Sequence, residues 1–151
     1  DSAAVSVETV KSQHLLLQEV ASPYTLEAVS IATKQCFVRS FKDQLPIYFQ
    51  SGAIVPLSRI QEERYTEASF VFLPIEKSSA PGVVKLPAGR CAVTHHTGDY
   101  LSIGKAYERL LEYCRGHQLK IVSDAYEFAI NDYLSTGNES EYITKIMFYV
   151  E

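Results

Sequence analysis

The chain has 151 residues, of which 46% are hydrophobic and 21% charged, and its formal net charge is −4. This length is typical of one domain, spanning residues 1–151, with a core large enough to need no disulfides or structural metal. Its Lys and Arg residues are scattered, so we expect no direct nucleic-acid contact by this domain, because phosphate backbones require clustered positive charge. No apolar run approaches the roughly 20 residues that a membrane-spanning helix needs, so no membrane partner is predicted.

The three cysteines, Cys36, Cys91 and Cys114, are odd in number and widely spaced. Neither a disulfide framework nor a zinc site has this pattern. His95 and His96 would point to opposite faces of a strand, so they do not indicate a metal site either. We therefore expect no metal and no cofactor, and a reducing, cytoplasmic location.

Apolar periodicity predicts the elements of the first half. Residues 5–20 are rich in Val and Leu and are predicted to form one or two strands. Ser22 and Pro23 are typical of a helix N-terminus, and apolar residues at helical spacing continue this helix to about Phe41. Residues 69–74 are predicted to form a β-branched and aromatic strand, and a loop rich in Ser, Pro and Gly follows it.

The second half follows the same order of elements. Residues 89–94 are predicted to form a strand, and residues 101–115 form the clearest helix of the chain. Gly116 ends this helix, as glycine often does. Two more strands are expected at residues 125–130 and 142–150.

The predicted fold class is α+β. Two β-α-β-β units side by side would form one antiparallel sheet with two helices on one face. The halves share no obvious sequence identity, so the duplication is one of architecture. We expect the face of the sheet opposite the helices to be an open groove that binds a ligand.

One predicted strand carries a carboxylate among apolar residues. Alternation along a strand places Tyr126 and Phe128 on one face, where their bulk suits packing under the helices. Ala125, Glu127 and Ala129 then share the other face. The two small alanines leave space around the Glu127 carboxylate.

The surroundings of Glu127 allow two interpretations. A carboxylate in a concavity is costly unless it is paired, and a cationic, aromatic ligand would supply the missing charge. Nearby tyrosines would add cation–π attraction of about 0.5–2 kcal/mol for each favourable contact. Alternatively, Glu127 is a solvated residue on an exposed sheet face, and spacing alone favours that simpler interpretation.

A resemblance to a known family favours the ligand site. Gly98-Asp99-Tyr100, the helix over residues 105–114, residues 121–127 ending in Tyr126-Glu127, and Tyr142 resemble the GyrI-like effector-binding domain. The similarity is greatest to the C-terminal multidrug-binding domain of BmrR-type regulators in the MerR family. It implies a duplicated β-α-β-β fold, a ligand-binding acid at Glu127, and ligand-binding aromatic residues at Tyr48, Tyr100 and Tyr142.

The resemblance also implies partners and alternatives. The ligand would be a lipophilic, cationic aromatic small molecule, and a DNA-binding domain of MerR or AraC type would precede residue 1. The parent regulator would be homodimeric through a segment outside this chain. Some members of the superfamily are hydrolases of strained or electrophilic small molecules, in which Glu127 would act as general base beside Tyr100 or Tyr48. A stand-alone protein similar to gyrase inhibitors is the remaining alternative.

Overall fold

The computed structural model of the protein describes residues 4–151. This part of the chain contains eight β-strands and three α-helices, with short 3-10 turns at Tyr100–Ser102 and Glu139–Glu141. The elements are, in chain order, β1 (Ser6–Val10), β2 (Gln13–Glu19), α1 (Leu26–Lys42), β3 (Gly52–Val55), α2 (Leu57–Gln61), β4 (Phe70–Ile75), β5 (Val83–Leu86), β6 (Gly89–Thr97), α3 (Gly104–Gly116), β7 (Ala125–Asn131) and β8 (Ile143–Tyr149).

The strands form one curled antiparallel sheet in the order β1-β6-β8-β7-β3-β4-β2-β5. The halves of the chain meet at its centre, where β3 pairs with β7 and Ala53 lies opposite Glu127. The predicted α+β class is therefore confirmed. The duplicated β-α-β-β architecture of the two halves stays a prediction. None of the helices within residues 4–151 has the length and apolar character needed to cross a membrane.

The two long helices, α1 and α3, pack on the same face of the sheet. Ala32 and Cys36 of α1 and Ala106 and Leu110 of α3 belong to one buried cluster with strand residues such as Phe148. Because these side chains recur at helical spacing, each helix buries one stripe against the sheet. The prediction of two helices on one face is thus correct, and the short α2 is an addition to it.

Helix α1 begins later than the sequence suggested. The predicted start at Ser22 and Pro23 is wrong, because Tyr24 has a φ of 64°, which is outside the right-handed helical region. Thr25 is the N-cap instead, and its Oγ1 accepts a hydrogen bond of 3.1 Å from the backbone N–H of Ala28.

The opposite face of the sheet is not an open groove. The sheet curls around a second buried cluster, in which the rings of Phe72 and Phe128 lie 5.1 Å apart in an edge-on arrangement. Leu15 and Met147 are fully buried beside them. The predicted position of the groove is therefore wrong, because large apolar side chains fill the inside of the curl.

Gly52 lies where β3 is in close contact with both of its neighbours, β4 and β7. A Cβ atom on this residue would lie 2.2 Å from the Phe72 ring and 2.4 Å from the backbone oxygen of Glu127. Only glycine fits such an approach. The absence of a side chain at Gly52 thus allows β7, which carries Glu127, to pair closely with β3.

Candidate functional site

Glu127 lies in the middle of β7 and faces the helices. Only 3% of its surface is exposed. Its Oε1 accepts a hydrogen bond of 2.5 Å from the hydroxyl of Tyr100, and its Oε2 accepts another from the hydroxyl of Tyr107. Hydrogen bonds to a charged acceptor are among the strongest in proteins, so the two tyrosines hold the carboxylate in one orientation.

Packing around the two tyrosines fixes their hydroxyl groups. Tyr107 belongs to the apolar stripe of α3 and is fully buried. The ring of Tyr65 stacks on it at 5.5 Å, and Gly104 leaves room for this ring, since a Cβ there would lie 2.8 Å from it. Tyr100 opens the 3-10 turn before α3, and Asp99 caps that turn by accepting a hydrogen bond from the N–H of Ser102.

Burial dominates the electrostatics of this group. It raises the pKa of the Glu127 carboxyl to about 7, although hydrogen bonds from Tyr100 and Tyr107 act in the opposite direction. Burial also raises the pKa of both tyrosines well above the ordinary value, and the neighbouring Glu127 raises it further. Near neutral pH the hydroxyls therefore remain protonated donors, while the carboxyl is close to its midpoint.

Glu127 lies on the wall of a cavity with a volume of about 360 Å³. The cavity is between α1 and the helix-facing side of the sheet, and the loop after β7 reaches its rim. Its lining comprises Leu26, Val29, Ser30, Thr33, Ser51, Gly52, Ala53, Val71, Gly98, Tyr100, Glu127, Ala129, Asn131, Asp132, Tyr133, Tyr142 and Thr144.

The cavity is acidic and mostly apolar. Glu127 and Asp132 are the acids of its lining, and no Lys, Arg or His from residues 4–151 lines it. A cavity of this size suits a small organic molecule, and such sites are generally apolar with a few placed polar groups. A ligand that brings a positive charge to Glu127 would supply the counter-charge that the protein does not provide.

The structure brings four of the six predicted ligand-binding residues to the cavity. Glu127, Tyr100, Tyr142 and Ala129 line it. Ala125 lies on the same face of β7 but is fully buried in the core.

Tyr48 is not brought to the cavity. Its side chain is 55% exposed, and its backbone N–H binds the carbonyl of Pro74 beside β4. The chain before β3 therefore runs alongside the end of β4 and does not bring Tyr48 into the space between α1 and the sheet.

The predicted orientation of β7 is wrong. The alternation separates Glu127 from Phe128 as expected, but Glu127 faces the helices and Phe128 lies in the second cluster. Tyr126 also lies on that second face, where its ring packs edge-on against Tyr149. The small side chains of Ala125 and Ala129 face the helices, and this leaves space for the cavity.

Tyr107 and Asp132 are site residues that the sequence analysis missed. Tyr107 lies within the helix predicted over residues 101–115 and is not among the predicted site residues. A signal was available, because a buried tyrosine hydroxyl normally requires a hydrogen-bond partner. Asp132 lies just beyond the predicted strand, in a turn that no periodicity describes. Within residues 4–151, no group of three His, Cys, Asp or Glu side chains is arranged to hold a metal ion.

A family model described as "GyrI-like small molecule binding domain" matches residues 4–151 of the chain. No curated protein sequence matches the chain significantly. Among solved structures, the C-terminal domain of EcmrR has a TM-score of 0.79 at 14% identity, covering 97% of this chain and 96% of that domain. The longer EcmrR chain, in its complex with DNA in EcmrR-RPo, has a TM-score of 0.80 at 14% identity. This chain aligns over 97% of its own length and spans 57% of that longer one.

Two other structures are similar at lower scores. A hydrolase from Listeria innocua has a TM-score of 0.62 at 8% identity, with 99% of this chain and 92% of that chain covered. SAV2435 bound to tetraphenylphosphonium has a TM-score of 0.60 at 13% identity, with 97% of this chain and 93% of that chain covered. At these identities the likeness shows the fold alone.

Proposed function

The chain belongs to the family of GyrI-like small molecule binding domains, and we propose that it is the effector-binding domain of a bacterial transcription regulator that senses lipophilic aromatic cations. The observation that carries this proposal is the Glu127 carboxylate, which is 3% exposed on the wall of a cavity without a lining cation. The two tyrosines orient this carboxylate but do not neutralise it.

Electrostatics favours a cation over a neutral ligand. Burial disfavours the ionised form of Glu127, as its raised pKa shows. A cation beside the carboxylate removes this penalty, because opposite charges attract strongly where water is excluded. Neutral ligands gain no ion pair from the carboxylate, and anions are repelled by it.

The lining favours a ligand that is aromatic and apolar as well. Leu26 and Val29 of α1 form an apolar wall, while Tyr100, Tyr133 and Tyr142 bring aromatic rings. Tyrosine rings attract cations by about 0.5–2 kcal/mol where the contact is close and dry. SAV2435, which shares the fold, is bound to such a cation, tetraphenylphosphonium.

The role in a regulator rests on the comparison with EcmrR. In that protein a C-terminal domain of this fold belongs to a longer chain that forms a complex with DNA. We infer the same arrangement here, with a DNA-binding domain of MerR type before residue 1 and dimerisation through a segment outside this chain. The three cysteines are buried and unpaired, which agrees with the reducing cytoplasm as the place of action.

A matched pair of ligands tests the proposal. Methyltriphenylphosphonium and triphenylphosphine oxide have similar shapes, but only the first is charged. We expect the protein to bind the phosphonium at least about tenfold more tightly, which corresponds to about 1.4 kcal/mol of charge pairing. Isothermal titration at pH 8 measures both affinities. Equal affinities for the two compounds would exclude a charge-selective site.

Hydrolysis is the second candidate, and one feature of the site favours it. A carboxyl with a pKa near 7 suits a general base, and Tyr100 can polarise a substrate at the same place. Similar structures include a protein described as a hydrolase from Listeria innocua. The same two residues could therefore serve either activity.

Following the fate of a bound compound separates the sensor from the hydrolase. Incubation with epoxides and other strained or electrophilic rings, analysed by mass spectrometry, should return each compound unchanged, because a sensor only binds its ligand. A hydrolase would show multiple turnovers that fall about 100-fold or more in both Glu127→Gln and Tyr100→Phe, as is usual when an acid–base partner is lost. That outcome would mean that the protein is a hydrolase and not a sensor.

A further inference from the structure

The cavity contains a second carboxylate, Asp132, at its rim. Asp132 follows the end of β7 and is partly exposed, whereas Glu127 is buried deep in the same cavity. Five residues separate the two acids along the chain. At the rise of an extended strand their Cα atoms lie at most about 17 Å apart.

Local hydrogen bonds hold the Asp132 turn in place. The Asp132 N–H donates to Ser135 Oγ at 3.0 Å, and the Leu134 N–H donates to Asp132 Oδ1 at 3.0 Å. The side chain of Asn131 donates to the carbonyl of Glu141, which ties this turn to the chain before Tyr142. The rim acid therefore has a defined position relative to the cavity.

The Asp132 carboxylate also lacks a positive partner. The ion pairs formed within residues 4–151 join Arg64 to Glu62 and to Glu67, and neither involves Asp132. Oδ2 of Asp132 accepts no hydrogen bond from this part of the chain. The neighbouring residue Tyr133 is 66% exposed and also lines the cavity, so the rim contributes an aromatic side chain as well as an acid.

We propose that Asp132 and Tyr133 form a second cation subsite, so that the cavity prefers ligands with two positive centres joined by an apolar spacer. One centre pairs with Glu127, the spacer lies against Leu26 and Val29, and the other centre pairs with Asp132. This inference rests on the proposed function, because it requires Glu127 to bind the first cation. It specifies a ligand class, dications with an apolar spacer, that pairing with Glu127 alone would not select.

Decamethonium and decyltrimethylammonium provide the test, because they share a spacer and differ in the second charge. We expect decamethonium to bind about tenfold more tightly to the unaltered protein, since a pair at a partly exposed rim contributes modestly but is intramolecular once the first charge is bound. Isothermal titration at low salt measures both affinities.

Asp132→Asn removes the rim charge and keeps the oxygen that accepts the Leu134 N–H, so the turn should survive. We expect it to reduce the decamethonium advantage to about twofold and to leave decyltrimethylammonium unchanged. Glu139→Gln is the matched control, because Glu139 is exposed and outside the lining, yet its loss changes the net charge equally. Salt should weaken the rim pair more than the buried one, since exposed charges are screened.

Each outcome decides between the two proposals. If decyltrimethylammonium binds through Glu127 but decamethonium has no advantage, the second subsite is wrong and the sensor remains. If Asp132→Asn weakens both ligands equally, Asp132 acts through the general field of the cavity and the subsite is also wrong. If neither ligand binds, the second subsite is wrong, and the phosphonium titration decides the proposed function separately. If Glu127→Gln leaves the binding of both unchanged, the proposed function fails together with this inference.

Discussion

Glu127→Gln is expected to lower the affinity for methyltriphenylphosphonium about 100-fold, or about 2.7 kcal/mol, because it leaves a desolvated ligand charge without its partner. The loss of one partner from a fully buried ion pair typically costs about 3–5 kcal/mol. The cost expected here is smaller because the cavity is open to solvent. Glutamine has nearly the shape of glutamate, and its carbonyl oxygen can accept from either tyrosine. Isothermal titration at pH 8, where Glu127 is ionised, measures the effect.

Two controls separate loss of charge from loss of fold in this experiment. Triphenylphosphine oxide should bind both proteins within about threefold, since it makes no ion pair with residue 127. Glu108→Gln applies the same substitution to an exposed position of α3 and should leave phosphonium binding unchanged. Equal loss of the charged and the neutral ligand would mean that Glu127 supports the shape of the cavity and does not bind cations.

The general fold could be predicted because its determinants are local. Helical spacing of apolar residues over residues 101–115 and strand alternation over residues 125–130 each depend on one short segment. The structure has α3 at Gly104–Gly116 and β7 at Ala125–Asn131. The start of α1 could not be located from such a pattern, because it depends on the backbone of Tyr24, where φ is positive.

The orientation of β7 could not be predicted because alternation divides residues into two sets without saying which set meets the helices. The larger set, with Tyr126 and Phe128, was assigned to the helices by bulk. The curl of the sheet reverses this assignment. Large side chains fill the inside of the curl, whereas the side that faces the helices contains the cavity, which lies beside the small side chains of β7. Such a curl depends on contacts between β3, β4 and β7 that no single segment encodes.

The family resemblance predicted Glu127 and Tyr100 as site residues, but not Tyr107 or the hydrogen bonds that join the three side chains. Strand spacing alone favoured a solvated Glu127, whereas its side chain is buried in the cavity wall. Tyr107 meets it from α3 and Tyr100 from the turn before that helix. These contacts join residues that are 20 and 27 positions away from Glu127, and only the packing of α3 on the sheet brings them together.

Between pH 8 and pH 5 the affinity for methyltriphenylphosphonium is expected to fall about 100-fold, because the cation binds the ionised form of Glu127 and the pKa of that carboxyl is about 7. Above pH 7 the group is mostly ionised and the affinity should reach a plateau. Below pH 7 each unit should cost about tenfold, and binding should release about one proton. Titration in buffers of different ionisation enthalpy measures both quantities.

The stability of the ligand-free domain should change in the matching direction. Folding raises the pKa of Glu127 from 4.5 to about 7, so the folded state binds this proton more tightly than the unfolded state. The resulting stabilisation is fully present below pH 4.5 and is lost as the pH rises through 7, a decrease of about 3 kcal/mol from this group. Urea unfolding at pH 5 and pH 8 measures it, and Glu127→Gln should remove the difference that this group contributes.

The two tyrosines provide an internal test of the pH argument. Hydrogen bonds from Tyr100 and Tyr107 lower the pKa of Glu127, so Tyr107→Phe, which removes one of them, should move the midpoint of phosphonium binding to higher pH. Tyr126→Phe is the matched control, because this hydroxyl lies on the opposite face of β7, in the second cluster. A midpoint that Tyr107→Phe leaves in place, or one that persists in Glu127→Gln, would assign the pH dependence to another group and contradict the role of Glu127 as the titrating counter-charge.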